Sequence, residues 1–137
     1  MDPARWAARL DELPPERRAA VEALLADPPH ARVDRTLADG DTLPYCGGIR
    51  VIHTPGHTPG HLSLYLERSR TLVAGDALVS EGGVLQGPRP GVTLDMAAAL
   101  HSVGKLTGLD VDRAITYHGG VVERDVASRL AEIAAGA

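Results

Sequence analysis

The chain has 137 residues, enough for one domain with a packed core, and its 44% hydrophobic content is ordinary for a soluble protein. Aromatic residues make up only 3%, with no Phe, so the core has to be built from Leu, Val, Ile and Ala. Fourteen basic against eighteen acidic residues leave a net charge of -4 without any basic block, which argues against nucleic acid or an anionic membrane as partner.

The N-terminus opens Met1-Asp2-Pro3-Ala4-Arg5, without the apolar core of a signal peptide, and no apolar run approaches the ~18 residues of a membrane span. Residues 1 to 30 read as a helical pair. Asp2 is an N-cap with Pro3 at the first helical position, and Trp6, Leu10 and Leu13 recur at helical spacing. Pro14-Pro15 ends that helix and starts a second, whose stripe is Val21, Leu24 and Leu25 and whose stop is Asp27-Pro28-Pro29. His30 follows as a solvated loop residue. The pair carries no catalytic signature and is expected to act as a cover on the rest of a single domain, 31–137.

From Arg32 the period changes. Val33 to Leu37 reads as a strand, and Asp39-Gly40 marks a tight turn before Asp41-Thr42-Leu43. The single cysteine, Cys46, has no partner for an internal disulfide, so a reducing cytoplasm is expected. Gly47-Gly48 is a second turn, and Ile49 to Ile52 is a short strand.

Next comes His53-Thr54-Pro55-Gly56-His57-Thr58-Pro59-Gly60-His61, with a histidine at every fourth position. A helix would stack these on one face, but each gap holds a Pro-Gly pair, and Pro in a helix interior costs about 3 kcal/mol. The stretch therefore reads as two successive tight turns, Pro supplying the fixed φ and Gly the positive φ of a type II turn. The plainer alternative is a turn-rich connector with solvated histidines.

Leu62, Leu64 and Leu66 alternate with Ser63 and Tyr65, the pattern of a strand buried on one face. Glu67 to Arg70 is a polar hairpin tip. Thr71-Leu72-Val73-Ala74 reads as a buried strand that stops at Gly75-Asp76. A Gly/Pro-rich loop from Ser80 to Gly91 is long enough to line a site. Met96, Leu100, Val103 and Leu106 mark a helix over 93–107, with His101 beside its stripe as a structural histidine. Ala114 to Tyr117 is a short strand stopping at His118-Gly119-Gly120, and Val126, Leu130 and Ile133 mark a last helix over 122–134. Strands interleaved with helices give a mixed α and β class.

Three strands thus end at a metal-competent residue next to glycine: His57, Asp76 and His118. Singly, each is an ordinary turn residue. Together, two imidazoles and a carboxylate suit Zn²⁺, with Fe or Mn as alternatives.

The run from Asp39 to Gly120 resembles the second half of the metallo-β-lactamase superfamily, the hydrolase group that includes glyoxalase II and lactonases. The matching pieces are Thr54-Pro55-Gly56-His57-Thr58-Pro59-Gly60-His61, Leu72-Val73-Ala74-Gly75-Asp76 and Tyr117-His118-Gly119. The resemblance implies that His57 is a ligand of a first metal and His118 of a second. It implies that Asp76 bridges both ions, the position to which a catalytic role falls. His53 and His61 stand where the family has no ligand: His61 would support or pack behind the ligands, and His53 would close a strand. Asp76, where the lactamases themselves usually carry Cys, points to the glyoxalase-like and lactonase-like members. The implied activity is hydrolysis of an ester, thioester or lactone by metal-bound hydroxide.

The family's first half carries a His-x-His-x-Asp-His signature, and no such string occurs here; His30 is the only histidine before His53. The chain therefore reads as one half of an αββα sandwich, a mixed β-sheet flanked by helices: a fragment, a split-gene product or a true half-sized protein. The competing function is that of a non-catalytic module. In either case a small-molecule substrate site would be complete only with more donors. Helices are expected on one face of the sheet only, so a homodimer or a separate first-half chain is the expected partner.

Overall fold

The computed structural model describes residues 10–27 and 30–136, so the expected helix start at Asp2, Pro3 and Trp6 and the Pro28-Pro29 stop lie outside the described residues. The chain divides between Thr36 and Leu37 into two compact units. In the first unit, helix α1 (Pro15–Ala26) starts with proline in its first turn, where the missing N–H is not needed. No residue of α1 is buried: the expected stripe lies open, with Leu24 54% and Leu25 59% exposed.

Residues 32–38 form no strand, although Val33-Leu37 reads as one, and Val33 is 73% exposed. Strand propensity acts only where a pairing edge is free. That edge belongs to residues 40–43 instead. Gly40 N–H donates to the Val51 carbonyl at 2.9 Å, and Val51 N–H to the Asp41 carbonyl at 2.8 Å.

The second unit is built on a six-stranded sheet. Its strands are β1 (Thr42–Leu43), β2 (Ile49–His53), β3 (Leu62–Leu66), β4 (Thr71–Gly75), β7 (Arg113–Thr116) and β8 (Gly120–Val122), in the order β1-β2-β3-β4-β7-β8. Neighbours run antiparallel except β4 and β7, which are parallel. A parallel pair needs a crossover, supplied here by a small hairpin, β5 (Val79–Glu81) with β6 (Val84–Gln86), and by helix α2 (Met96–Leu106). The hairpin interrupts what reads as a loop over 80–91. Gly82 and Gly83 have φ +57° and +79°, the pair of positive angles a two-residue hairpin turn requires. Helix α3 (Val126–Ala135) closes the chain and begins four residues later than expected, because Val121 and Val122 are taken into β8 against β7.

The core lies on one face of the sheet. Tyr65, Leu72, Ala114 and Val122 line up across β3, β4, β7 and β8 and pack with Val103 and Leu106 of α2 and Val126 and Leu130 of α3. On β3 the alternation is as read but the face is reversed: Ser63 (0% exposed) and Tyr65 (5%) are the buried residues, and the three leucines are half-buried. Period two sets an alternation, not which set goes inward. Tyr65 stays inside because its hydroxyl donates to the Asp110 carbonyl at 2.6 Å, leaving no orphaned polar atom. The opposite row, Leu64, Val73, Ile115 and Val121, is half-buried to exposed, with Val121 at 53%. No helix among the described residues is long and apolar enough to cross a membrane.

Candidate metal centre

β2 delivers the chain to His53, whose N–H donates to Asp39 Oδ1 at 2.7 Å and whose Nε2 donates to the Pro59 carbonyl at 2.9 Å. That ring is committed to the loop it starts. Of the two expected turns only the second closes, through His61 N–H to the Thr58 carbonyl at 3.3 Å, and Gly60 lacks the positive φ of a type II turn. Gly56 is the special position, with φ +140°. A Cβ there would sit 2.4 Å from the Cα of Ala99, so the loop presses its backbone against α2 where no side chain fits. Asp95, which caps α2 by accepting from Ala98 N–H, donates its own N–H to the Gly56 carbonyl at 3.0 Å, and Leu94 N–H reaches the His57 carbonyl at 3.4 Å. The helix N-terminus thereby fixes the His57 backbone.

Asp76 follows the end of β4, where Gly75 turns the chain with φ +59° and accepts from Tyr117 N–H at 3.2 Å. His118 follows β7. Its carbonyl accepts from Ser80 N–H at 2.9 Å and from the Thr116 hydroxyl at 2.9 Å. The hairpin that replaces the expected site-lining loop therefore supports His118 from behind.

The side chains of His57, Asp76 and His118 converge. His57 Nε2 lies 3.6 Å from Asp76 Oδ2, and His118 Nε2 lies 3.5 Å from Asp76 Oδ1, one imidazole to each carboxylate oxygen. His57 and Asp76 are 25% and 22% exposed and His118 66%, so the centre opens on the His118 side. Two donors held about 2.1 Å from one ion at a tetrahedral angle stand about 3.4 Å apart, so each pair has the spacing of neighbouring ligands. Among the described residues no Lys or Arg pairs with Asp76, and no group of three His, Cys, Asp or Glu side chains closes on a single point. The arrangement is two donor pairs sharing a carboxylate, which suits imidazole- and carboxylate-binding ions such as zinc or iron.

His61 stands behind this set, its ring 6.1 Å from that of His57 and edge-on to it. Its Nε2 accepts from Asp76 N–H at 3.0 Å, and its Nδ1 is 2.9 Å from Thr54 Oγ1. Burial lowers the His61 imidazole below its ordinary pKa, with the charge of Asp76 acting in the opposite direction. His101 is exposed on α2, and His30 is exposed in the first unit. The supporting residues Thr54, Ser63 and Ser80 are not legible as such in the sequence; the one hint is Ser63, a hydroxyl among apolar residues beside the histidine run.

A model of the metallo-beta-lactamase superfamily matches residues 2–118. The probable metallo-hydrolase YflN of Bacillus subtilis (strain 168) is 34% identical over 112 residues, covering 73% of this chain and 42% of the relative. The metallo-beta-lactamase family protein TTHA1429 from Thermus thermophilus superposes with a TM-score of 0.58 at 28% identity, over 93% of this chain and 47% of that one. TTHA1623 in a di-iron-bound form superposes with a TM-score of 0.59 at 27% identity, over 82% and 56%. The chain thus spans less than half the length of YflN and of TTHA1429.

Proposed function

We propose that this chain, which belongs to the metallo-beta-lactamase superfamily, supplies the His57, Asp76 and His118 donors of a metal-dependent hydrolase acting on a small ester, thioester or lactone. The observation that carries the reading is the single carboxylate of Asp76 flanked by one imidazole on each oxygen, with no Lys or Arg paired to it among the described residues. Its charge is left for a cation. The donor set fits zinc, with iron or manganese as alternatives. Bound there, the ion would lower the pKa of a water from about 15.7 to about 7 and polarise the substrate carbonyl. His57, held through its backbone by α2, and His118, held by Ser80 and Thr116, would orient Nε2 toward the ion, with the Asp76 carboxylate between them. The open His118 side is where substrate would enter. The free, exposed Cys46 is in keeping with a reducing, cytoplasmic setting.

A second reading, an assembly module without catalysis of its own, is favoured by two observations. Each pair offers about two donors, whereas catalytic zinc takes three protein ligands. The row of Leu64, Val73, Ile115 and Val121 is left half-buried to exposed, as a face that pairs with a second copy or with a first-half chain would be.

Metal titration and turnover test both readings. The chain should hold zinc weakly and retain less than one zinc per chain after extensive dialysis. His57→Ala and His118→Ala should abolish that binding, and His101→Ala and His30→Ala should leave it intact. One tightly held zinc per chain, or equal loss from His53→Ala and His57→Ala, would contradict the ligand assignment. Zinc-dependent turnover of a thioester, a lactone or an aryl ester that disappears in His57→Ala supports the hydrolase. Zinc binding with no turnover of any of the three supports the module.

A further inference from the structure

We propose that His61 is a positioning residue, held as the neutral Nδ1–H tautomer, whose Nε2 lone pair fixes the backbone of Asp76 and so aims the carboxylate that His57 and His118 share. The backbone N–H of Asp76 can only donate, so His61 Nε2, 3.0 Å away, is the acceptor and carries no proton. The proton of the neutral ring is then on Nδ1, which donates to Thr54 Oγ1 at 2.9 Å. The Thr54 hydroxyl, having accepted, donates to Ser63 Oγ at 2.9 Å. The Ser63 hydroxyl in turn donates to the Ala74 carbonyl at 3.3 Å. Ala74 is two residues before Asp76, so the chain of bonds starts just past the end of β4 and returns within it.

The relay is enclosed. Thr54 is 1% and Ser63 0% exposed. An independent feature agrees with it: a Cβ on Gly75 would lie 2.8 Å from His61 Nε2, so glycine is needed at 75 both for its φ of +59° and to admit the ring. Both ring nitrogens of His61 are used, one as acceptor and one as donor. No lone pair remains for an ion, which separates His61 from His57 although both belong to one repeat. Such supporting partners typically change metal affinity by about 10–100-fold.

The consequence for metal binding rests on the reading of Asp76 as a donor; the tautomer does not. Long-range ¹H–¹⁵N spectra of the imidazoles of the unmodified full chain, without metal, test the tautomer alone. His61 should show a protonated Nδ1 and a bare Nε2. A protonated Nε2 would overturn the proposal. Three variants then test the consequence, with Zn²⁺ as the probe. His61→Gln can place its amide oxygen where Nε2 stands and should bind Zn²⁺ within about threefold of the unmodified chain. His61→Asn, which is shorter and reaches only toward Thr54, should lose about 10–100-fold, as should His61→Ala. Equal losses for Gln and Asn, with melting temperatures alike, would show a packing role only and overturn the positioning claim. If the unmodified chain binds no Zn²⁺, the metal reading fails. The amide proton of Asp76 then decides, and it should shift in His61→Asn but stay near its original position in His61→Gln.

Discussion

Replacing Asp76 by Asn is expected to weaken Zn²⁺ binding by more than about 100-fold, beyond the range for residues that only support a ligand. The variant keeps the size of the side chain and the backbone N–H that donates to His61. It removes the negative charge and turns one of the two oxygens into an amide nitrogen, so it damages both donor pairs at once. Among the described residues the Asp76 carboxylate forms ion-pair contacts only with His57 and His118. The metal-free protein should therefore unfold within about 0.5 kcal/mol of the unmodified chain, as for a substitution away from structural features. Calorimetric titration with Zn²⁺ and denaturant unfolding of the metal-free chain check the two halves of this expectation. Unchanged affinity would remove Asp76 from the centre.

Gly119→Ala should cost about 3 kcal/mol or more and should also displace His118. The Gly119 φ is +105°, and conformations of this kind cost a residue with a side chain about 1–3 kcal/mol. The added Cβ would lie 2.0 Å from the Ser80 carbonyl oxygen and 2.7 Å from its carbon, a collision with backbone that no rotamer relieves. The same Ser80 supports the His118 carbonyl through its N–H. Relief of the clash must therefore move β5 or His118. Gly60→Ala is the control: φ is not positive, and nothing lies within 4 Å of the Cβ position. Urea unfolding of the two variants should separate them clearly. A Gly119 variant no less stable than the Gly60 variant would contradict the account of how His118 is held.

The convergence of His57, Asp76 and His118 could be anticipated because each reads as following a strand and adjoins glycine, a pattern visible in residue types alone. Local chemistry also marks the turns at Gly40, at Gly47-Gly48 and at Glu67–Arg70, and their hydrogen bonds are made as read. What the sequence leaves open is set by partners distant in the chain. Ser63 reads as the outward residue of β3, yet it is buried because Thr54 and Ala74, nine and eleven residues away, take up its hydroxyl. Val33 to Leu37 has the composition of a strand but loses the edge of β2 to residues 40–43. Gly56 reads as a turn glycine. It is required by Ala99, on a helix more than forty residues later. Periodicity describes an element, and only the fold decides what it packs against.

The proposed metal locus comprises His57, Asp76 and His118. Imidazole ¹⁵N spectra of the full chain recorded with increasing Zn²⁺ test it most directly. The Nε2 signals of His57 and His118, the atoms that face Asp76, should shift together as zinc is added, while the ring nitrogens of His30, His53 and His101 stay where they are. A shift that begins at His53 or His101, or a zinc titration that leaves His57 unmoved, would contradict it.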